Sequence, residues 1–237
     1  MRMPPAVPGG RALIIGNSDG IGLALTKRLL AQGWIVTGVS RRESSLEAPE
    51  YDHTVLDVSA PRYPDRLREL QDRRGPFDVC VYCAGIGELL DVSDLSGEGH
   101  VFRVNLVGAV ETASIVIPSM IAASRGHFVG LSSIGDEVLS ADAPSYAASK
   151  AGLSSYLGGL ALAVRPRGVR VSNVRFGFVD TKMAKSPVKP MMISVERAVD
   201  VLMRCLARRP ARVTYPWTMA ILVRAIRWIG LVKLLAG

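Results

Sequence analysis

A tyrosine and a lysine stand four residues apart in the stretch PSYAASKAG, at 144–152. On a helix, residues four apart lie on the same face, so Tyr146 and Lys150 would point together. A free tyrosine is a reluctant base because its pKa is about 10. A neighbouring ammonium favours the phenolate, so we expect Lys150 to lower the pKa of Tyr146 towards the range of efficient proton transfer. Taken alone, the pair is equally compatible with a structural hydrogen bond.

A glycine-rich turn lies far upstream, in GNSDGIG at 16–22. It follows an apolar run and precedes a helical pattern, which is the context of a dinucleotide-binding turn. Glycines let the backbone approach a pyrophosphate, and the helix N-terminus offers free N–H groups and a positive dipole. The spacing differs from G-x-G-x-x-G, so the interpretation that these glycines serve packing alone stays open. The candidate cofactor-binding residues of this turn are Gly16, Asn17, Ser18, Asp19, Gly20, Ile21 and Gly22.

Two arginines follow the second apolar run, in GVSRRES at 38–44. An NAD site usually carries an acidic residue here for the ribose hydroxyls, whereas an NADP site uses arginine for the 2′-phosphate. The guanidinium groups of Arg41 and Arg42 suit a phosphate because they donate paired, charge-assisted hydrogen bonds. The sequence therefore favours NADP(H), and the alternative is a pair of exposed loop arginines.

These residues need a scaffold that brings them together. Short apolar runs predict seven strands, at 11–16, 34–40, 53–58, 77–85, 127–133, 169–177 and 211–216. Helical patterns alternate with them at 20–33, 61–75, 97–124, 144–165 and 194–208. Pro118 is expected to interrupt the third helix. The alternation predicts one α/β domain, a doubly wound parallel sheet (Rossmann fold) with helices on both faces. Its expected bounds are 11–216, between a flexible lead-in at 1–10 and an apolar, basic tail at 217–237.

With both motifs placed, the chain resembles the short-chain dehydrogenase/reductase family over about residues 11–183. The family's T-G-x-x-x-G-I-G turn is similar to residues 15–22, with Ile15 in place of the threonine, and its Y-x-x-x-K pair to Tyr146 and Lys150. Its catalytic serine, thirteen positions before the tyrosine, corresponds to Ser133, with Ser132 as the alternative. Its active-site asparagine corresponds to Asn105 in VNLVG.

The resemblance implies a role for each of these residues. Tyr146 would give a proton to a carbonyl oxygen in reduction and accept one in oxidation, and Ser133 would hold that oxygen. Lys150 would also bind the nicotinamide ribose, and Asn105 would anchor a water that links Lys150 to solvent. The remaining cofactor contacts implied by the resemblance are Asp57, Val58, Ala84, Gly85, Gly177, Val179 and Thr181.

Three departures from the family pattern concern residues that hold the site rather than react. The N-N-A-G segment is replaced by Tyr82, Cys83, Ala84 and Gly85, so both asparagines are missing. The turn lacks its threonine, and Phe176 replaces the proline of the P-G segment in FGFVDT. We therefore expect the rigidity of the site and its affinity for the cofactor to change, but not the reaction.

The composition limits the other function classes. The net charge is +8 over 237 residues, but no basic stripe with interleaved aromatic residues is present, which argues against nucleic acid binding. Cys80 and Cys83 form a CxxC on a predicted strand, where residues three apart point to opposite faces. They are interpreted as core cysteines, and no metal is expected. An odd cysteine count without a signal peptide predicts a cytoplasmic protein.

The tail is apolar, but three basic residues interrupt it, which is too much charge for an ordinary spanning helix. Three interpretations stay open: packing on its own domain or a subunit partner, peripheral membrane contact, and a lid over a lipophilic substrate. The segment at 182–194 resembles the family's substrate lid, and Met183, Met191 and Met192 suggest an apolar wall. Positive charge is added by Lys182, Lys185 and Lys189, and the alternative is an exposed loop. Relatives of this architecture commonly form homodimers or homotetramers, so we expect the same here.

Two function hypotheses follow. The first is an NADP(H)-dependent oxidoreductase that acts on a small-molecule carbonyl or secondary alcohol, with a lipophilic ketone or alcohol favoured. The second is a catalytically silent, NADP-binding sensor or scaffold that uses its tail for partner or membrane contacts. Oxidation of NADPH by a panel of carbonyl compounds separates the two.

Overall fold

The seven apolar runs form the seven strands of one sheet in the computed structural model, which describes residues 9–183 and 189–223. The strands are β1 (Arg11–Ile15), β2 (Ile35–Ser40), β3 (Tyr51–Val55), β4 (Val79–Tyr82), β5 (Gly126–Ser133), β6 (Val169–Phe176) and β7 (Arg212–Tyr215). Every neighbouring pair is parallel, and the strand order is β3-β2-β1-β4-β5-β6-β7. The predicted doubly wound parallel sheet is confirmed.

Within the described part of the chain, six helices connect the strands and cover both faces of the sheet. They are α1 (Gly20–Leu30), α2 (Tyr63–Arg74), α3 (Glu98–Phe102), α4 (Gly108–Ala122), α5 (Pro144–Val164) and α6 (Val195–Arg208). Short 3-10 turns at Ile134–Glu137 and Arg165–Arg167 flank α5. Residues 217–223 form a further helix, named the terminal helix below.

The core lies in two apolar layers because alternate residues of a strand face opposite sides of the sheet. Leu13 and Cys80 belong to the layer that α2, α4 and α5 cover, whereas Ile14 and Val81 belong to the layer that α1 and α6 cover. Cys83 packs against this second layer, so the sheet separates it from Cys80. Both thiols are free, in agreement with the interpretation as core cysteines.

The predicted interruption at Pro118 is wrong. Pro118 lies inside α4, and the irregular turn is instead a π-helical turn at Arg103–Val107, between α3 and α4. A proline removes the hydrogen bond to the carbonyl four residues earlier. Here that residue is Ser114, and both residues lie on the exposed face of α4, where water can satisfy the carbonyl.

The helical stretch Glu98–Ala122 is long and apolar enough to cross a membrane by length and composition, with a mean hydropathy of 1.6 over its most apolar 18 residues. Half of its most apolar window is buried inside the protein. Ala113, Val116 and Met120 of this stretch belong to the core layer described above. Its apolar composition therefore has a structural cause in the packing of α4 against the sheet.

The beginning of the tail contacts its own domain. Met219, Ala220 and Val223 of the terminal helix are buried and form a small apolar cluster with Ile134. Phe178 packs against the same cluster. Residues 224–237, with the three basic residues that bear on membrane contact, lie outside the described residues, as do residues 184–188 of the segment that resembles a lid.

Candidate active site

The candidate residues converge at the carboxyl ends of the central strands. In the sheet, β1 lies between β2 and β4. The connection that follows β1 therefore runs towards one edge of the sheet, and the connection that follows β4 runs towards the other edge. Open α/β sheets bind ligands in the crevice that this change of direction creates. The glycine turn follows β1, Gly85 follows β4 and Ser133 ends β5, so all three border the same crevice.

The glycine turn needs its glycines for backbone conformation and for close packing. Gly16 and Gly20 have φ angles of +87° and +52°, in the left-handed region that favours glycine. A Cβ on Gly16 would lie 2.6 Å from the Ala84 nitrogen, and one on Gly22 would lie 2.1 Å from the Gly16 carbonyl oxygen. The turn therefore passes tightly between β4 and the first turn of α1, which places that helix N-terminus at the crevice.

Two cations and one carboxylate meet beside this turn. Asp19 caps α1 by accepting a 2.8 Å hydrogen bond from the Gly20 N–H. Its Oδ2 accepts a 2.7 Å hydrogen bond from Lys182 Nζ and lies 3.8 Å from Arg42 Nη2. The hydrogen bond from Lys182 is the main cause that lowers the pKa of Asp19. Arg41 and Arg42 are exposed at the end of β2, so both can reach a ligand.

A polar network that sequence reasoning missed lies beneath the turn, with Asn17 buried and Tyr51 and His53 half-buried. The Asn17 amide is fully buried and donates to the hydroxyl of Tyr51, which lies 3.1 Å from His53 Nδ1. His53 Nε2 lies 3.1 Å from the Arg42 carbonyl oxygen. The network thus joins the glycine turn to the arginine loop through β3. No motif signals it, because the residues lie on three separate segments.

Ser133, Tyr146 and Lys150 lie together at the end of β5. The Ser133 hydroxyl accepts a 3.0 Å hydrogen bond from the Gly135 N–H, donates to the Phe176 carbonyl at 3.4 Å, and lies close enough to Tyr146 to lower the pKa of that phenol. The Tyr146 ring lies between Gly87 and Gly135, where an added Cβ would come within 3.4 and 3.8 Å of it. Glycine at both places therefore leaves these two sides of the ring without a packed side chain from either residue.

Ser132 has a different environment from Ser133. Its hydroxyl donates a 2.6 Å hydrogen bond to Asn173 Oδ1 and lies 2.9 Å from the Ser154 hydroxyl. Both partners are on neighbouring elements of the fold, whereas Ser133 faces Tyr146. The structure therefore places Ser133, and not Ser132, in the tyrosine cluster.

Lys150 is buried, and a main-chain carbonyl fixes its amine. It is 4% exposed, and its Nζ donates a 2.9 Å hydrogen bond to the Leu131 carbonyl. The loss of water around the ammonium lowers the pKa of Lys150 to about 8. A Cβ on Gly85 would lie 3.4 Å from Nζ, so glycine keeps the space above this amine open.

The prediction that the pKa of Tyr146 is lowered is wrong, because the pKa of this phenol is raised. Burial raises the pKa of Tyr146, and the Asp136 carboxylate adds to the rise, while the hydrogen bond with Ser133 offsets part of it. Lys150 Nζ lies 5.8 Å from the centroid of the Tyr146 ring and donates a hydrogen bond to the Leu131 carbonyl instead. The phenol is therefore protonated at neutral pH.

Asn105 lies in the π-helical turn, is fully buried and binds the loop after β4. Its Oδ1 accepts a 2.8 Å hydrogen bond from the Ile86 N–H, and its Nδ2 donates to the Ile86 carbonyl and to Ser149 at 2.9 and 3.0 Å. The side-chain amide therefore fixes Ile86 next to Gly85. Ser149 in turn donates to the carbonyl of Tyr146, which connects Asn105 to the tyrosine helix.

The remaining candidate contacts surround the same crevice. Asp57 accepts hydrogen bonds from the Ser59 N–H and hydroxyl at 2.8 and 2.7 Å. Burial alone would raise the pKa of Asp57, but these bonds outweigh it and the pKa is lowered. Thr181 lies close to Gly20, where an added Cβ would be 3.3 Å from its methyl group. Val58, Ala84, Gly177 and Val179 are the other members of this set, and Val58 and Val179 are buried.

The sequence matches the model of the short chain dehydrogenase family over residues 11–191. A protein of Myxococcus xanthus, named as an oxidoreductase, is 32% identical over 227 residues, which cover 90% of each chain. The chain belongs to the short-chain dehydrogenase family. Its membership agrees with the resemblance drawn from the glycine turn and the Y-x-x-x-K pair.

Solved structures of short-chain dehydrogenases have the same fold. One from Streptomyces avermitilis superposes with a TM-score of 0.82 at 22% identity and covers 96% of both chains. Another, from Burkholderia cenocepacia in complex with NADP, has a TM-score of 0.79 at 24% identity and covers 87% of this chain and 88% of its own. The chain is thus a short-chain dehydrogenase in fold and family, with oxidoreductase relatives.

The crevice fits a nicotinamide dinucleotide, the cofactor class of the short-chain dehydrogenases. Glycine at 20 and 85 keeps side chains out of the crevice, because an added Cβ there would lie 3.3 Å from Thr181 and 3.4 Å from Lys150 Nζ. The Asn17 Oδ1 is buried without a hydrogen-bond partner among the described residues, directly at the turn. Met183 closes the space on the outer side, since its methyl carbon would lie 3.4 Å from a Cβ on Gly85.

Proposed function

We propose that this short-chain dehydrogenase is an NADP(H)-dependent oxidoreductase that interconverts a carbonyl and a secondary alcohol. The observation that carries the proposal is the cluster of Ser133, Tyr146 and Lys150 around the small space above Gly85. A hydroxyl donor, a protonated phenol and an amine face one opening beside a dinucleotide-binding turn. These are the groups that carbonyl reduction needs besides a hydride source.

The chain's own residues would hold the cofactor in three places. The glycine turn and the N-terminus of α1 would bind the pyrophosphate, because N–H groups and helix dipole favour negative charge. Asp57 and Val58 would border the adenine, and Lys150 would bind the nicotinamide ribose. The bound nicotinamide supplies the hydride of the reaction.

Tyr146 would supply the proton to the carbonyl oxygen. Its raised pKa keeps the proton on the phenol at neutral pH, which suits a general acid and so supports reduction as the working direction. Ser133 would hold the same oxygen by donating its hydroxyl hydrogen, so that negative charge developing there is stabilised. In oxidation Tyr146 would accept the proton, with a higher pH optimum because the phenolate must form first.

NADP(H) is proposed over NAD(H) because Arg41 and Arg42 lie where the 2′-phosphate would be. Both are exposed, and His53 holds the carbonyl of Arg42 at 3.1 Å. Lys182 Nζ lies 2.7 Å from Asp19 Oδ2, whereas Arg42 Nη2 lies 3.8 Å from the same oxygen. Arg42 therefore keeps hydrogen-bond donors for a phosphate although a carboxylate lies nearby.

A lipophilic substrate is proposed from the apolar lining of the mouth. Met183 lies over Gly85 and Gly87, next to the Tyr146 ring. Leu139 and Trp217 are 60% and 66% exposed. Leu139 adjoins Val138 and Trp217 begins the terminal helix, and both of these contribute to the apolar cluster around Ile134. Exposed apolar side chains of this kind favour contact with an apolar ligand over contact with water. The expected homodimer or homotetramer, the cytoplasmic location and peripheral membrane contact through the tail remain predictions.

The experiment measures NADPH oxidation optically against ketones, aldehydes and quinones of increasing chain length. We expect turnover that improves with apolar chain length, and its loss in Tyr146→Phe while NADPH still binds. Tyr156→Phe makes the same change on the same helix, away from the cluster, and should retain turnover. Wild-type turnover in Tyr146→Phe would remove the proposed role of the phenol. Tight NADPH binding by the wild type without turnover of any carbonyl would point to an NADP-binding protein instead.

A further inference from the structure

A buried ion pair lies directly behind the candidate catalytic serine. Arg175 on β6 is 1% exposed, and its guanidinium donates to the Asp136 carboxylate from Nε at 2.7 Å and from Nη2. Nη2 also donates to Glu137 Oε1 at 2.8 Å, and Nη1 to Thr214 Oγ1 at 3.3 Å. The Asp136 side chain is 2% exposed. Burial of two charges costs desolvation free energy, so stability alone is a weak reason for such a pair.

Asp136 connects this pair to the site. It lies in the 3-10 turn that Ser133 caps, one residue after Gly135, whose N–H donates to the Ser133 hydroxyl. Ser154 on α5 donates to the same carboxylate. Since α5 also carries Tyr146, one side chain ties the turn after the serine to the helix of the tyrosine.

Asp136 also acts on Tyr146 by its charge. Burial is the main cause that raises the pKa of Tyr146, and the negative charge of Asp136 raises it further. Among the described residues, Lys150 on α5 is a second charged group near the phenol, with Nζ 5.8 Å from the ring centroid. Arg175 holds a positive charge against both oxygens of Asp136, and so opposes the effect of that carboxylate on the phenol.

We propose that Arg175 and Asp136 are positioning residues for the reaction at Tyr146. Their contact fixes the Ser133 turn against α5, and the guanidinium balances a carboxylate that would otherwise hold the phenol proton too tightly. The kinetic part of this inference rests on the proposed oxidoreductase function. Its electrostatic part concerns only the protonation of Tyr146 and can be measured without turnover.

The test compares Arg175→Met, Asp136→Asn and the double variant. The titration of Tyr146 is followed by phenolate absorbance, as the difference between each protein and the same protein with Tyr146→Phe. We expect Arg175→Met to raise the pKa of Tyr146 by about one unit, because it leaves an unbalanced carboxylate. Asp136→Asn should lower it by less, since Glu137 still contacts Arg175. The double variant should return towards the wild type.

Kinetics provide the second readout. We expect kcat for carbonyl reduction to fall roughly 10- to 100-fold in Arg175→Met, with NADPH affinity unchanged, because the serine turn shifts relative to the tyrosine. Arg212→Met is the matched control: it removes a 52% exposed arginine that contacts Glu137 at 3.2 Å but does not pair with Asp136. The control should keep both kcat and the Tyr146 titration.

Opposite shifts in the two single variants are the signature of the proposal. Shifts in the same direction, or none in folded variants, would overturn it, because a purely structural role gives no sign reversal. If Arg175→Met does not fold, the double variant should have a higher Tyr146 pKa than Asp136→Asn, because it lacks the guanidinium, and an equal or lower value would overturn the proposal. A wild type without carbonyl turnover would refute the proposed function while the titrations still tested the ion pair.

Discussion

The hydroxyl of Tyr82 donates a 2.6 Å hydrogen bond to the main-chain carbonyl of Val104. It crosses from the end of β4 to the π-helical turn that carries Asn105. A Cβ on Gly108 would lie 2.5 Å from this hydroxyl, so glycine makes room for it. Tyr82 stands where the family pattern has an asparagine, and the tyrosine provides a brace of its own between sheet and helix.

Replacement of Tyr82 by phenylalanine removes this brace and keeps the ring. We expect the free energy of unfolding to fall by about 1–2 kcal/mol, because a buried carbonyl loses its hydroxyl donor. Carbonyl turnover should fall as well, since the turn that holds Asn105 loosens. Urea unfolding followed by circular dichroism measures the first effect. Wild-type stability in this variant would show that the hydrogen bond contributes nothing to the fold.

Alanine substitutions of the two serines at the end of β5 should have different effects, on kcat for Ser133 and on stability for Ser132. Ser133→Ala should lower kcat by roughly 100- to 1,000-fold, because the hydroxyl that holds the substrate oxygen is lost. Ser132→Ala should cost about 1–2 kcal/mol of unfolding free energy, because Asn173 Oδ1 loses a buried donor at 2.6 Å. Steady-state kinetics and urea unfolding are needed on both variants. A larger kcat loss in Ser132→Ala would exchange the two assignments.

Cofactor preference should depend on the arginine loop. Replacing Arg41 and Arg42 together by alanine should lower kcat/KM with NADPH by roughly 10- to 100-fold and leave the value with NADH nearly unchanged, because only the 2′-phosphate contact is lost. Arg28→Ala is a control, since Arg28 is partly exposed on α1 and pairs with Asp200 at 3.1 Å. Equal losses with both cofactors would argue against phosphate recognition by this loop.

Acid should destabilise the protein through His127. This residue is buried on β5 with Nε2 2.8 Å from the Ser172 hydroxyl, and burial lowers its pKa to about 3. The unfolded chain takes up the proton near pH 6.5, and the folded chain does so only near pH 3. The free energy of unfolding should therefore fall between these values by up to about 1.4 kcal/mol per pH unit, and this contribution is complete above about pH 6.5.

Urea unfolding at several pH values between 7 and 4 measures this slope. His127→Gln cannot take up the proton and should flatten the slope, whatever its stability at pH 7. An unchanged slope in this variant would assign the acid sensitivity to other groups.

Local sequence determined much of this protein. The glycine turn, the Y-x-x-x-K spacing and the alternation of apolar runs with helical patterns predict the parallel sheet and the family, because each is a property of neighbouring residues. The sequence also places Tyr146 and Lys150 on one helix. The sequence pattern gives the wrong position for the irregular turn of the long helix. The proline is tolerated because Ser114 and Pro118 lie on one exposed face, which the pattern does not show.

Only the tertiary structure decided how charge and hydrogen bonds act in the site. Lys150 is bound to the Leu131 carbonyl, and burial outweighs its influence, so the pKa of Tyr146 is raised rather than lowered. The pair of Arg175 with Asp136 joins residues 39 positions apart in the chain. Desolvation and long-range contact depend on what surrounds a side chain in three dimensions, and neither the spacing nor the composition of the sequence contains that information.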